Sequence, residues 1–242
     1  MNTSILIMEK DKVSQLPWED IGKTLDEKGF AVIPEFIDPT TTCGTLRSFY
    51  ENEDLFRKTV VMERHSFGKG EYKYLTHPLP SIIEDLRNAL YPRLVPIANK
   101  WMQQLGLNTH FPALHADFLK ECQQQGQHLA TPLILKYEAG GYNTLHQDLY
   151  GDIYFPFQAV VLLSQPGNDF QGGEFVLTEQ KIRAQSKAIV LSPGIGVILF
   201  ATNFRPVKGK TAYYRARMRH GVSEVKSGQR MTLGIIFHDA RT

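Results

Sequence analysis

The sequence predicts a mainly β protein in which helices support a double-stranded β-helix, a cupin-like jelly roll. The pattern of the chain changes near residue 130, from helical periodicity before it to short apolar runs after it. Gly and Pro separate those runs, as in QPGNDFQGG and SPGIG, where the chain must turn. With 242 residues, of which 42% are hydrophobic and 21% charged, the chain is long enough for one sizeable core.

The first part of the chain predicts helices and one short strand. Helices are expected to begin at Pro17 and at Asp38-Pro39, with a strand over residues 30–33 between them. The clearest helix begins at Pro80-Ser81, where Ser81 and Glu84 fit a capping box. Its apolar residues recur at spacings of three and four and are Ile83, Leu86, Leu90, Leu94, Ile97 and Trp101.

Two prolines interrupt that long helical pattern. Pro92 and Pro96 lie inside it, which predicts a kink or two consecutive helices, and Gly106 lies near the expected end.

Seven short runs after residue 130 have the composition of strands, and turn signals separate them. They span residues 133–137, 157–164, 174–177, 188–191, 197–200, 213–222 and 231–238. We therefore expect residues 1–130 to form a helix-rich support region and residues 131–242 to form the β-helix core, both within one compact domain.

Composition restricts the partners and the compartment. The 27 basic and 25 acidic residues leave a net charge of +2, which does not by itself indicate a nucleic-acid or membrane partner. Cys43 and Cys122 are too few for a disulfide framework and favour a reducing compartment. The apolar run at residues 5–8 is too short for a signal peptide, and no run reaches the roughly 20 residues of a membrane span. A cytoplasmic protein is expected.

A candidate metal site begins at the sequence LHQDLYGD. His146 and Asp148 are two residues apart, so in an extended segment their side chains point to one face and can chelate one metal ion. His220, near the end of a later strand pattern, is the best candidate for a third ligand. Two histidines and one carboxylate leave three coordination positions open, as in non-haem Fe(II) oxygenases, and zinc is the chief rival metal.

An anion socket is predicted ten residues after His220. Arg230 and Thr232 share one face of the last apolar strand, and Gly234 keeps that face uncrowded. A guanidinium offers a bidentate fork to a carboxylate, and the hydroxyl offers one further donor. An anionic co-substrate is therefore expected.

The chain resembles the Fe(II)- and 2-oxoglutarate-dependent oxygenases, and within them the prolyl-4-hydroxylase-like branch. The likeness covers residues 133–239 and rests on HQD, QGGEF, PGIGVILF and HGVSEVKSGQRMTLGIIFHDA, in this order. The resemblance implies that His146, Asp148 and His220 bind Fe(II) and carry the catalysis. It implies O₂ as the second substrate, and succinate and CO₂ as products of the co-substrate.

The same resemblance assigns the co-substrate pocket. Arg230 would pair with the distal carboxylate of 2-oxoglutarate, helped by Thr232, and Tyr137 matches a tyrosine that borders this pocket. The reaction implied is hydroxylation or oxidative demethylation of a substrate that the sequence does not identify. The segment YNTLHQDLYGDIYFPFQAVVLLS is similar to a little-characterised bacterial group labelled as acting on damaged nucleic acid.

A local basic tract leaves the substrate class open. Between Arg205 and Arg219 the chain carries no acidic residue. Its basic residues are Arg205, Lys208, Lys210, Arg215, Arg217 and Arg219. Period two places the last three arginines on the outer face if His220 points inward. That face is either simply solvated or a track for nucleic acid.

The sequence leaves the class of function and the role of the segment 63–77 open. A non-enzymatic jelly-roll module that binds a metal or small ligand is the alternative to an enzyme, and the oligomeric state is undetermined. The segment 63–77, which contains Gly68, Gly70 and several aromatic residues, is either a mobile flap over the site or a surface hairpin.

Overall fold

Two antiparallel sheets enclose one cavity in the computed structural model, which describes residues 12–242. The helices are α1 (Trp18–Lys28), α2 (Thr41–Ser48), α3 (Ser81–Gln104) and α4 (His115–Gln124). The strands are β1 (Phe30–Pro34), β2 (Phe56–Val61), β3 (Gly68–Lys69), β4 (Glu71–Leu75), β5 (Leu133–Tyr137), β6 (Tyr142–His146), β7 (Phe157–Leu162), β8 (Phe170–Gly172), β9 (Phe175–Gln180), β10 (Lys187–Leu191), β11 (Gly196–Ala201), β12 (Phe204–Lys208), β13 (Tyr213–Val222), β14 (Val225–Gly228) and β15 (Arg230–Ile236).

The strand order builds one large and one small sheet. The large sheet runs β1-β11-β7-β15-β5-β4-β2, and the small sheet runs β10-β9-β13-β6-β3, with β12 paired to β13. Strands β14 and β8 form a separate pair. The predicted mainly β fold class is confirmed, and the runs 133–137 and 213–222 coincide with β5 and β13.

The chain before residue 131 contributes strands to both sheets as well as helices. β1, predicted at residues 30–33, pairs with β11, while β2 and β4 extend the other edge of the large sheet. β3 joins the edge of the small sheet through β6. The segment 63–77 is therefore hydrogen-bonded into both sheets, and the division at residue 131 stays a prediction.

The long helix differs from its prediction in two ways. No side chain caps its N-terminus, which follows Pro80, so the capping box of Ser81 and Glu84 is wrong. α3 is also one helix that continues through Pro92 and Pro96. Each internal proline costs about 3 kcal/mol, whereas each fully buried large apolar side chain contributes about 1.5–3 kcal/mol. The predicted stripe, with Ile83, Leu86, Leu90, Leu94 and Trp101 at most 1% exposed, outweighs the two prolines.

A buried polar cluster fastens α3 to the end of β15. Arg87 donates from Nε to the carbonyl of Ile236 at 2.9 Å and pairs with Asp239 at 2.7 Å. His77 contacts the other oxygen of the Asp239 carboxylate at 3.0 Å. Since β15 lines the cavity, this cluster fixes one wall of the site from outside.

Residue 238 makes the stability of the protein dependent on pH. His238 is fully buried and accepts a hydrogen bond from the backbone N–H of Phe155 at 3.3 Å. Burial, with the nearby Arg87 charge, lowers its pKa from 6.5 to about 4. The unfolded chain therefore takes up this proton first, so the stability from neutral His238 is complete above pH 6.5 and is lost as the pH falls toward 4.

We expect the free energy of unfolding to fall by up to about 1.4 kcal/mol per pH unit from this group below pH 6.5. Urea unfolding of the metal-free protein at pH 7 and at pH 5 measures how much the free energy of unfolding falls between the two. This fall should be about 2 kcal/mol smaller in His238→Leu than in wild type. The exposed His128→Gln is the matched control and should keep the loss of the wild type. An equal loss in His238→Leu would contradict the assignment.

Candidate metal centre

A cavity of about 220 Å³ lies between the two sheets and gathers the predicted site residues. His146, Asp148 and His220 line it from the small sheet and the loop that follows β6. Arg230 and Thr232 line it from β15 in the large sheet. Residues far apart in the chain thus meet because the two sheets face one another.

Strand register brings the two histidines together. His146 on β6 is directly opposite His220 on β13, and their ring centroids are 4.2 Å apart. Asp148 follows β6 and reaches both rings, with its carboxylate oxygens 3.5 Å from Nε2 of His146 and 3.3 Å from Nε2 of His220. One ligand atom from each residue lies within 4.8 Å of the other two. This arrangement can hold one metal ion.

Hydrogen bonds orient the HQD segment. Nδ1–H of His146 donates to the carbonyl of Thr144 at 2.7 Å, which directs Nε2, the nitrogen available to a metal ion, toward Asp148. The amide of Gln147 donates to Oδ1 of Asn203 and to the carbonyl of Met218, both at 2.7 Å. These contacts hold the backbone at Gln147, so the side chains of His146 and Asp148 are oriented toward the cavity.

Two tyrosines support the carboxylate. Tyr150 donates to Asp148 at 2.6 Å, and Tyr74 donates to Tyr150 at 2.8 Å. Burial alone would raise the pKa of Asp148, but His146, His220 and the Tyr150 hydrogen bond together hold it well below its usual value. Asp148 is therefore ionised, as a metal ligand must be.

The sequence prediction placed Tyr74 in the segment 63–77 but did not assign either tyrosine to the support of Asp148. Tyr150 is two residues after Asp148, and this spacing could have predicted that the two side chains share a face. No local signal exists for Tyr74, because β4 meets the site only through the fold.

Arg230 is a buried cation that receives a Coulombic attraction from Glu174 but forms no ion pair with it. It is 2% exposed, its Nε has no hydrogen-bond partner, and no carboxylate among residues 12–242 forms an ion pair with it. Burial lowers the pKa of Arg230 to about 10, which leaves it charged at neutral pH. Its guanidinium lies 5.6 Å from the ring centroid of Tyr137 and 6.0 Å from that of Phe170. Burial of a charge without an ion pair costs free energy, so this end of the cavity favours an anionic ligand.

The QGGEF motif provides space beside this guanidinium. Gly173 has φ +61°, and a Cβ there would lie 2.9 Å from Cδ of Arg230. Only glycine fits both the backbone angle and the close approach.

The other two predicted co-substrate residues lie next to Arg230. Tyr137 is opposite Arg230 in the β5–β15 pairing, fully buried, and accepts a hydrogen bond from Asn143 at 3.2 Å. Thr232 follows two residues later on β15 and is 2% exposed. The cavity therefore has a group of potential metal ligands on one side and a cationic, hydroxyl-bearing end on the other.

The basic tract divides between the two faces of the small sheet. Arg215, Arg217 and Arg219 are exposed and alternate with buried residues, as period two predicts. We call these three residues the arginine row. No carboxylate among the described residues forms an ion pair with the row.

Arg205 does not belong to this exposed surface, which corrects the predicted tract. It is opposite Ala216 in the β12–β13 register and so shares the inward face. There it is 6% exposed, forms an ion pair with Glu179, and donates to the carbonyl of Asp26 at 2.9 Å.

Two histidines and one carboxylate held together in this way are the arrangement that non-haem Fe(II) oxygenases use. The family comparison agrees: residues 70–240 match the Oxygenase-NA family, described as an oxygenase catalysing oxidative methylation of damaged DNA. The chain belongs to this family. The membership favours the enzyme over the non-enzymatic alternative.

A relative and several solved structures are similar to the chain. An uncharacterised protein of Mycobacterium tuberculosis, Rv2227, is 46% identical over 165 residues, which are 67% of this chain and 70% of that protein. A Pseudomonas putida prolyl-4-hydroxylase has a TM-score of 0.53 at 11% identity, covering 93% of this chain and 100% of that one. A 2OG-Fe(II) oxygenase family protein from Burkholderia pseudomallei has a TM-score of 0.54 at 17% identity, covering 93% and 94%.

The likeness to these structures confirms the double-stranded β-helix fold. Family membership makes this chain an oxygenase, and the His-Asp-His group is a candidate site for its metal ion. None of the helices within residues 12–242 has the length and apolar content that crossing a bilayer requires.

Proposed function

We propose that this chain is a dioxygenase in which His146, Asp148 and His220 hold Fe(II). The buried guanidinium of Arg230, which forms no ion pair within residues 12–242, carries this assignment because it lies in the same cavity as the three ligands. Two imidazoles and one carboxylate also suit zinc. Membership of an oxygenase family favours iron, since zinc has no redox chemistry with which to activate O₂.

The co-substrate fits the residues of β15 and β5. Arg230 binds the distal carboxylate of 2-oxoglutarate, the hydroxyl of Thr232 donates to it, and Tyr137 borders the pocket beside the guanidinium. When bound, Fe(II), 2-oxoglutarate and O₂ supply the oxidant for hydroxylation or demethylation at a C–H bond, with succinate and CO₂ released.

The rest of the cavity excludes water and positions the substrate. Its walls carry the apolar side chains of Leu133, Leu135, Val160 and Ile236 between the ligand groups. Such a lining strengthens the electrostatic contacts of Arg230 and Asp148 and limits side reactions with water.

The test of this function requires no substrate. Metal-free protein is titrated anaerobically with Fe(II) and then with 2-oxoglutarate, and the visible charge-transfer band of an iron-bound keto acid is recorded. The band should appear only when both are present, and Zn(II) in place of Fe(II) should give none. Folded, iron-loaded protein without the band would contradict the co-substrate assignment.

We further propose damaged or modified nucleic acid as the substrate, acted on in the cytoplasm. The description of the family supports the substrate class, and the arginine row supports contact with phosphates. Successive residues of the row are about 6.8 Å apart along β13 and carry no competing ion pair. Burial of Cys43 and Cys122 as thiols supports the reducing compartment.

Neutralising the arginine row should weaken binding of a single-stranded oligonucleotide. Changing Arg215, Arg217 and Arg219 to glutamine removes three phosphate contacts, and the slope of log affinity against log salt should shrink by about 0.7 per contact. Fluorescence anisotropy over a salt series measures both the affinity and the slope.

The matched control changes three exposed cations elsewhere, Lys28, Lys58 and Arg93, to glutamine. This control has the same net charge as the row variant, so it reports the effect of total charge alone. Equal weakening in both variants would contradict a specific role of the row.

A further inference from the structure

We propose that Phe67 is a stacking platform that receives the nucleobase of the substrate at the mouth of the cavity. This inference rests on the proposed nucleic-acid substrate and names the group that recognises it. Phe67 lines the cavity with the metal ligands, yet its side chain is 45% exposed. A single exposed aromatic residue is ordinary. Phe67 differs in its backbone hydrogen bonds, its backbone angles and its contact with His65.

Hydrogen bonds tie the backbone of Phe67 to the metal-binding strand. Its N–H donates to the carbonyl of Met62 at 3.1 Å. Its own carbonyl accepts from both the N–H and the hydroxyl of Thr144, at 2.9 and 2.8 Å. The carbonyl of Thr144 is in turn the acceptor that orients His146. The backbone that carries the exposed ring is therefore fixed relative to His146.

The chain adopts unusual backbone angles on both sides of Phe67. Ser66 has φ +58° and Gly68 has φ +140°, and a Cβ at Gly68 would lie 2.2 Å from the carbonyl oxygen of Tyr142. A non-glycine residue in the left-handed region costs free energy and persists where the surroundings hold it. The structure thus maintains an unfavourable turn that keeps an apolar ring in water beside the catalytic cavity.

The ring of His65 supports one side of the platform. The His65 and Phe67 centroids are 5.3 Å apart and their planes differ by 23°, which is a stacked arrangement. An unsaturated ring entering the cavity would extend this stack. Nucleobases have the flat π-face that such a site requires, and stacking of one base on an aromatic side chain changes affinity about 5- to 150-fold.

The experiment uses the full chain and a single-stranded oligonucleotide with one 2-aminopurine, whose fluorescence falls when the base stacks. An oligonucleotide without a base at that position is the second probe. We expect wild type to quench the fluorescence and to bind the complete probe at least 5-fold more tightly than the abasic one. Phe67→Leu should lose both effects, and Phe67→Tyr should retain them.

Two controls separate stacking from loss of structure. Leu114→Ala removes a more exposed apolar side chain, 62% exposed, that does not line the cavity, and should behave as wild type. Thermal unfolding should show Phe67→Leu folded like Phe67→Tyr.

The outcomes distinguish this inference from the proposed function. If wild type and Phe67→Leu bind and quench alike, the platform is overturned while the nucleic-acid substrate stands. If wild type binds neither oligonucleotide, both are overturned. Tighter binding of a proline-containing peptide than of the oligonucleotide, with dependence on Phe67, would overturn the nucleobase assignment in favour of a peptide substrate.

Discussion

Changing Asp148 to alanine is expected to abolish Fe(II) binding and turnover. The carboxylate contributes an oxygen near each histidine Nε2 and is the one anionic member of the ligand group. Loss of an outer-shell partner alone weakens metal binding about 10–100-fold, so loss of this ligand should exceed 100-fold.

Thermal unfolding with and without Fe(II) under anaerobic conditions gives a readout besides activity, because a ligand raises the melting temperature only if the native state binds it. Wild type should gain stability and Asp148→Ala should not. The matched control is Asp152→Ala, which removes an exposed carboxylate four residues later. A metal-dependent stabilisation retained in Asp148→Ala would show that the three residues are not the metal site.

Changing Arg230 to methionine should weaken 2-oxoglutarate binding by about 10–100-fold. A hydrogen bond to a charged group contributes about 1.5–3 kcal/mol, and 1.4 kcal/mol corresponds to tenfold in affinity. The co-substrate concentration that half-saturates the charge-transfer band measures the change. Arg230→Lys should fall between wild type and Arg230→Met, because an ammonium keeps the charge and loses the bidentate fork.

The stability of the metal-free Arg230→Met protein separates a ligand-binding role from a structural one. No carboxylate within residues 12–242 pairs with this buried guanidinium, so its removal should leave the free energy of unfolding equal or higher. Destabilisation by the 3–5 kcal/mol typical of a broken buried ion pair would indicate instead that Arg230 holds the fold.

Arg205 and Arg230 differ in how the protein compensates their buried charges. Both arginines are buried, but Arg205 has Glu179 and the carbonyl of Asp26 as partners. Its charge is satisfied within the protein. Arg230 has aromatic rings and a cavity beside it, which is the environment of a residue kept for a ligand.

The fold class and the positions of the metal-binding candidates were predictable from local sequence patterns. Short-range periodicity was sufficient, because the alternation of side chains along a strand depends on local geometry alone. It placed His146 with Asp148, Arg230 with Thr232, and the exposed arginine row opposite buried neighbours. The long helix was also predicted from its stripe of apolar residues.

Contacts between groups distant in the chain depend on the complete fold. Tyr74 reaches Asp148 through Tyr150, Glu179 neutralises Arg205, and Phe67 is fixed by Thr144. Each contact joins residues far apart in the chain, which no local pattern encodes. The continuity of α3 through Pro92 and Pro96 was likewise decided by packing. Burial free energy is summed over the whole core, so it overrides the local preference of a proline that is visible in the sequence.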